Sequence, residues 1–143
     1  MALPGNVAIS CGQTDHKPVG PSVGYRFEFG GASVVAAGDT VPCAGLDALT
    51  EGADALVHTV IRKDLIANVP VQRMKDTSTT TPRLRKRGAR RKRPVSARSV
   101  LTHYVPPLPL SGTEDDWRAL AASTFDGRVE MGDDLHRVEI QPR

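Results

Sequence analysis

Two apolar runs of strand length, separated by a short helical segment, constrain the fold of this chain most strongly. The first run, SVVAA, occupies residues 33–37, and the second, ADALVHTVI, occupies residues 53–61. A Gly-Asp-Thr turn ends the first run, and Leu46 and Leu49 have the spacing of one or two turns of helix. The order strand, turn, helix and strand predicts an α/β fold.

Further patterns extend this core on both sides. Residues 24–39 alternate apolar and charged side chains, break at a Gly-Gly pair and then resume, which predicts a β-hairpin that ends in a buried strand. SVLTHY at residues 99–104 predicts another short strand, and the apolar spacing of residues 114–125 predicts an amphipathic helix. Residues 127–140 predict a closing hairpin.

The totals fit one small domain. The 143 residues are 39% hydrophobic, which is enough for a modest core, so residues 1–143 are treated as one domain. No stretch approaches the roughly 18 apolar residues of a membrane helix, and the start lacks the pattern of a secretory signal. We therefore expect a cytoplasmic protein. Cys11 and Cys43 are too few for a disulfide framework, so both are interpreted as ordinary thiols.

The positive charge is concentrated in one segment. Nine of the nineteen basic residues fall within residues 83–98, and the ten that remain face sixteen acidic residues, which leaves the rest of the chain at −6. Residues 77–99, called the basic segment below, have almost no apolar side chains and no usable period. This pattern predicts a disordered or loosely helical insert, because such a segment cannot bury a face of its own.

The basic segment also allows a different function, that of a nucleic-acid-binding arm. Arginine-rich segments neutralise phosphates and fold on binding, so residues 83–98 are expected to bind RNA or DNA without sequence preference at low salt. Aromatic side chains, on which bases stack, are missing from residues 77–98. A solvated charge run without a dedicated partner therefore remains the simpler interpretation.

Polar residues stand at the carboxy ends of the predicted strands, where α/β proteins tend to place their ligands. Asp39 follows the first run, His58 follows ADALV, and His103 follows SVLT. Each alone is commonly structural, because Asp often caps a helix and a single His is often a satisfied core residue. Together they are the ligands that zinc, manganese or iron accept, and a carboxylate can bridge two ions.

The strings GYRFEF, SVVAAGDT, GADALVHTVI and VLTHYVP, in this order, resemble the second half of ribonuclease Z-like hydrolases of the metallo-β-lactamase fold. The resemblance runs over about residues 12–75 and 100–140. It implies the carboxy-terminal half of a four-layer αββα sandwich. It also implies hydrolysis of phosphodiester or other ester bonds by two zinc or manganese ions, which activate water and stabilise developing negative charge.

The resemblance assigns roles to four residues. His16, which precedes the Gly-Tyr-Arg strand, matches a metal ligand of the family, Asp39 matches the carboxylate that bridges the two ions, and His103 matches a ligand of the second ion. His58 is similar to a histidine that assists proton transfer. Thr59, which follows it, stands where the family usually has Glu.

The chain departs from the family in its metal ligands. The His-x-His-x-Asp-His signature is missing, and histidines occur only at positions 16, 58, 103 and 136. Three ligands shared between two sites are too few to close either shell. The missing half would also supply the second sheet, so one sheet face should be exposed.

Several interpretations of this incompleteness stay open. The chain is interpreted as an incomplete hydrolase fragment, with a non-catalytic remnant as one alternative and a homodimer that restores activity as another. The basic segment interrupts the resemblance, which resumes abruptly at Val100. A shifted reading frame would explain this break.

Overall fold

A computed structural model describes residues 5–66, 98–123 and 125–141. Within these residues the chain forms six strands and three helices. The strands are β1 (Ala8–His16), β2 (Val19–Phe29), β3 (Ala32–Ala36), β4 (Ala55–Ile61), β5 (Arg98–Val105) and β6 (Arg128–Met131), and the helices are α1 (Ala44–Thr50), α2 (Lys63–Ile66) and α3 (Glu114–Ala122).

The six strands form one sheet in chain order. β1, β2 and β3 are joined in antiparallel pairs, whereas β3, β4, β5 and β6 run parallel. The parallel pairing of β3 with β4 requires a crossover, and the segment that contains α1 supplies it. The predicted α/β class is therefore confirmed, as are the hairpin and the strand, helix and strand order around α1.

Helices cover one face of this sheet. Val35 of β3 and Leu56 of β4, which are neighbours in the sheet, are fully buried and pack with Leu46 and Leu49 of α1. A second cluster forms around Trp117 of α3 and takes in the sheet residues Val60, Leu101 and Met131. The alternate side chains of each strand therefore face a helical layer, as the period of two requires.

α3 begins with a complete capping box. The Thr113 hydroxyl accepts from the Asp116 N–H at 3.3 Å, and the Asp116 carboxylate accepts from the Thr113 N–H at 2.7 Å. These two bonds satisfy backbone donors that the first turn of a helix leaves free. Trp117 follows directly and donates its indole N–H to the Ser111 hydroxyl at 3.0 Å, so the polar edge of the ring is satisfied in the core.

The opposite face of the sheet is covered only in part. The segment of residues 133–141 lies over the parallel strands, and a cavity of about 300 Å³ separates its Val138 and Ile140 from Val57 and Val100 of the sheet. Over β1 and β2 the apolar side chains of this face are exposed, with Phe29 at 57%. This arrangement agrees with the expectation of an open sheet face.

Two parts of the chain differ from the sequence prediction. β1 was not predicted, although it pairs with β2 from Ala8 to His16. The prediction of a closing hairpin over residues 127–140 was wrong. Arg128–Met131 is a single strand that runs parallel to β5, and residues 133–141 form no strand. The Gly132 N–H donates to the Leu101 carbonyl at 2.8 Å, so the chain continues along β5 at the point where a hairpin turn was expected.

The prediction for the basic segment falls almost entirely outside the described residues. Only its last two positions are described, and both belong to β5. Arg98 forms an ion pair with Glu130 at 3.2 Å, and Ser99 is 2% exposed. The strand therefore begins inside the segment that was expected to be an insert, because these two side chains have partners within the sheet.

Candidate functional site

The Gly-Asp-Thr turn after β3 is fastened to the end of β1. Gly38 has a φ of 64°, a left-handed conformation that favours glycine over residues with a side chain. The hydroxyl of Thr40, which is 5% exposed, accepts from the Asp15 N–H at 3.1 Å, and the Val41 N–H donates to the Asp15 carbonyl at 2.8 Å. Asp39 is thereby held beside the last residue of β1.

The last residue of β1 is His16, and its imidazole lies near the Asp39 carboxylate. Its Nε2 lies 3.9 Å from Oδ2 of Asp39, and its side chain is 26% exposed. The distance is too long for a hydrogen bond, so the pair is an electrostatic contact that strengthens only when the imidazole is protonated. The proximity follows from the turn described above, since Asp15 and Thr40 fix the two chain segments to each other.

His103 reaches the same carboxylate through an irregularity of β5. In the pairing with β4, Thr102 and Tyr104 have successive partners and His103 is passed over, so it occupies a bulge. Its φ of 49° is unusual for a residue with a side chain. From this position Nδ1 donates to Oδ1 of Asp39 at 2.9 Å. Without the bulge, the alternation of the strand would direct the side chain differently.

The structure therefore brings together three of the four predicted site residues. The two oxygens of Asp39 face two different imidazoles, one contributed by the end of β1 and the other by the β5 bulge. Oxygen and nitrogen donors of this kind suit zinc or manganese. The hydrogen bond between His103 and Asp39, however, occupies Nδ1 of His103 and Oδ1 of Asp39, and a metal ion would need these same two atoms as ligands. Across the part of the chain that the structure describes, no group of three or more His, Cys, Asp or Glu is arranged to hold an ion.

The side chain of His58 lies elsewhere, in the helix-covered core. It is 1% exposed; Nδ1 is 3.0 Å from the Thr59 carbonyl and Nε2 is 2.8 Å from the Ser99 hydroxyl. A single neutral tautomer satisfies both contacts, with Nδ1–H donating and Nε2 accepting. Burial lowers the pKa of His58 to about 4, against a smaller opposing effect of the Thr59 carbonyl. The ring is therefore neutral at pH 7, and its role in proton transfer stays a prediction.

Thr40 is the residue of this region to which sequence reasoning gave no role. It touches no predicted ligand itself but positions the segment that carries Asp39. The available signal was its place directly after the aspartate, where a hydroxyl can bond to a neighbouring backbone. Thr59 of β4 also contacts this turn, since its hydroxyl lies 3.5 Å from the Gly38 carbonyl oxygen.

Comparisons with known proteins agree with the resemblance read from the sequence. No protein-family model matches the chain. Ribonuclease Z of Mycobacterium marinum is 55% identical over 137 residues, which are 96% of this chain and 49% of that protein. Ribonuclease Z of Mycobacterium tuberculosis is 53% identical over 96% of this chain and 50% of its own length. The chain thus spans about half the length of these curated relatives.

A solved structure supports the fold. The crystal structure of the metallo-β-lactamase fold protein YhfI from Bacillus subtilis superposes with a TM-score of 0.57 at 20% identity, over 92% of this chain and 48% of that one. Within the described residues, no helix is long and apolar enough to cross a membrane. Taken together, the strand order, the identity over almost the whole chain and the shared fold show that this chain corresponds to about half of a ribonuclease Z-like protein of the metallo-β-lactamase fold.

Proposed function

We propose that this chain carries part of the metal centre of a cytoplasmic, metal-dependent hydrolase of the ribonuclease Z type, with RNA phosphodiesters as its substrate class. The substrate class comes from the name of the relatives. The observation that carries the proposal is the position of Asp39, whose two oxygens contact two different imidazoles, Oδ2 that of His16 and Oδ1 that of His103. A carboxylate between two nitrogen donors is the arrangement that could join two ions.

Each of the three side chains would have a separate task. If two ions were bound, Asp39 would be a ligand of both, His16 would be a ligand of one ion, and His103 would be a ligand of the other. Zinc or manganese bound there would supply the activated water and the charge stabilisation that hydrolysis of a phosphodiester needs. All three side chains are between 26% and 59% exposed, so water and a substrate can reach them.

The same geometry argues that the isolated chain is a weak metal binder and a poor catalyst. A catalytic zinc ion needs three protein ligands, and a pair of ions needs correspondingly more. This chain offers three such side chains for two ions, and it spans about half of its relatives. The proposed function is thus that of an incomplete hydrolase fragment, and the remnant without activity is the outcome expected if no partner restores the missing ligands.

Metal content tests the proposal directly. The purified chain is dialysed against zinc or manganese, its bound metal is measured by elemental analysis, and turnover of a generic phosphodiester is recorded. We expect weak binding that Asp39→Ala and His103→Ala both reduce by more than about tenfold, because loss of even an outer partner of a ligand typically costs about 10- to 100-fold in affinity. The matched controls are Asp134→Ala and His136→Ala, which change exposed residues of the same types.

Metal binding that survives both site substitutions would contradict the assignment of Asp39 and His103. Full occupancy by two ions, together with turnover that both substitutions abolish, would instead show that the chain is an enzyme on its own. No binding at all would leave the remnant as the better description. The nucleic-acid-binding alternative rests on residues 83–98, nearly all of which lie outside the described residues, so it remains a prediction from charge.

A further inference from the structure

The bulge in β5 moves two consecutive side chains to faces that strand alternation would not give them. Leu101 packs in the cluster under α3, whereas Thr102 lines the cavity on the opposite face of the sheet. A regular strand would continue this alternation, with His103 on the helix side and Tyr104 on the cavity side. In the structure Tyr104 packs against the cluster under α3, and His103 reaches Asp39. The placement of His103 is thus coupled to that of Tyr104.

The side chain of Tyr104 is held both at its ring and at its hydroxyl. The ring lies beside that of Trp117, with 5.5 Å between the ring centroids and an interplanar angle of 56°, a favourable geometry for two aromatic rings. The hydroxyl donates to the Leu101 carbonyl at 2.6 Å and accepts from the Gly132 N–H at 3.1 Å. Burial raises the pKa of this hydroxyl, so it keeps its proton at neutral pH. These contacts fix the ring on the helix side of β5.

The backbone on each side of the bulge is anchored to β4. Before the bulge the ladder includes Thr102, and after it the ladder resumes at Tyr104. The Arg62 N–H, directly after β4, donates to the Val105 carbonyl at 2.8 Å. Between these anchors His103 is passed over and has a φ of 49°, a conformation that persists only where the surrounding structure enforces it. Tyr104 is the adjacent residue whose backbone and side chain are both anchored.

We propose that Tyr104 is a positioning residue of the candidate metal centre, because it holds the β5 bulge and thereby keeps His103 turned towards Asp39. The inference rests on the proposed function, since it concerns the same site. The Tyr104 hydroxyl is bonded to Leu101 and Gly132, so its effect reaches the site through the backbone of His103. Without this anchor β5 could return to regular alternation, which would turn the imidazole away from Asp39 and towards the helix-covered face.

The tautomer of His103, measured on the full chain without added metal, tests this proposal. Nδ1 of His103 donates to Asp39, so this hydrogen bond holds the proton of the neutral ring on Nδ1. Heteronuclear NMR of the ring nitrogens at about pH 8.5, above the range in which ordinary imidazoles titrate, reports which nitrogen carries the proton. We expect Tyr104→Phe to lower the ratio of the Nδ1–H form to the Nε2–H form by roughly fivefold, a change typical of losing one hydrogen bond.

The variant and its controls are closely matched. Tyr104→Phe keeps every carbon atom of the side chain, and the Gly132 N–H and the Leu101 carbonyl stay bonded to each other at 2.8 Å, so the variant is expected to fold. Circular dichroism verifies this. Tyr25→Phe removes the hydroxyl of the other tyrosine, on β2, and should leave the His103 ratio unchanged. His58 is a reference in the same spectra, because its Nδ1 proton is held by a backbone carbonyl.

An unchanged His103 ratio in Tyr104→Phe would overturn the proposal. An equal change in Tyr25→Phe, or a change at His58 in Tyr104→Phe, would overturn it as well, because either result would show a general loosening of the sheet. Zinc binding is the second readout, and Tyr104→Phe should weaken it by about tenfold, as expected for a group that orients a ligand. A chain that binds no zinc but shows the tautomer change would contradict the proposed function and still support the placement of His103 by Tyr104.

Discussion

At the scale of single residues, the burial of His58 couples its charge to folding. Burial lowers the pKa of His58 to about 4 from 6.5 in the unfolded chain, so the folded state binds fewer protons between these values. His58 therefore makes no charge-related demand on the folded state above about pH 6.5, and the free energy of unfolding decreases as the pH falls towards 4. The loss amounts to about 3 kcal/mol, since one pKa unit corresponds to about 1.4 kcal/mol.

We predict that His58→Asn flattens the pH dependence of the free energy of unfolding between pH 7 and pH 4, although it lowers stability at pH 7. Urea unfolding at a series of pH values measures this slope. The slope of the unsubstituted chain over the same pH range is the reference. An unchanged slope in His58→Asn would show that His58 does not titrate as a buried neutral group.

The site could be predicted from sequence only where residues follow a strand. Asp39 and His103 were each placed at a strand end and were therefore expected to lie near each other. In the structure, Nδ1 of His103 is 2.9 Å from Oδ1 of Asp39. His58 was also placed at a strand end, but β4 continues to Ile61, so His58 is an interior residue that shares a face with Leu56. The bulge that directs His103 has no signature in the local sequence, because it arises from pairing with β4.

At the scale of elements, α1 lies unusually close to β1. A Cβ atom added to Gly45 in the first turn of α1 would stand 1.8 Å from the Gln13 carbonyl oxygen, and a Cβ at Gly12 would meet Leu49 at 3.1 Å. These contacts leave no room for side chains, so α1 is seated directly on the backbone of β1. The position of Asp39 depends on this region, because the turn that carries it lies between β3 and α1.

We predict that Gly45→Ala destabilises the chain by about 3 kcal/mol, at the upper end of the cost of overpacking, although alanine is intrinsically the better helix former. The obstructing atom belongs to the backbone and cannot swing aside as a side chain would. Gly5→Ala is the matched control, since nothing lies within 4 Å of a Cβ at that position. Thermal unfolding of both variants measures the difference; equal midpoints would contradict the close seating of α1.

Element boundaries were predictable where local pattern and pairing agree. The β2–β3 hairpin and helix α3 follow their sequence periods closely. β1 was missed because its sequence, AISCGQTDH, has no clear alternation and is extended only through its ladder with β2. β6 was mistaken for half of a hairpin because Gly132-Asp133 resembles a turn, whereas the free edge of β5 supplies a parallel partner.

At the scale of the whole molecule, two hydrophobic clusters share one strand. Leu56 of β4 belongs to the cluster under α1, and Val60 of the same strand belongs to the cluster under α3. His58 lies between them on the same face and bonds to Ser99 of the neighbouring strand. β4 cannot leave one cluster without disturbing the other. We therefore infer that the described part of the chain unfolds as one cooperative unit, although its core is divided.

We predict that Leu46→Ala, in the cluster under α1, lowers the urea midpoint of Trp117 fluorescence as much as that of circular dichroism. Trp117 is the only tryptophan of the chain and lies in the other cluster, so its fluorescence reports on α1 only if the two clusters unfold together. Removal of a buried leucine costs about 2 to 5 kcal/mol. Leu120→Ala, on the exposed side of α3, should shift neither midpoint appreciably. If Leu46→Ala lowered the circular dichroism midpoint alone, the two clusters would unfold independently. The six-stranded sheet would then consist of two separately stable parts that meet at β4.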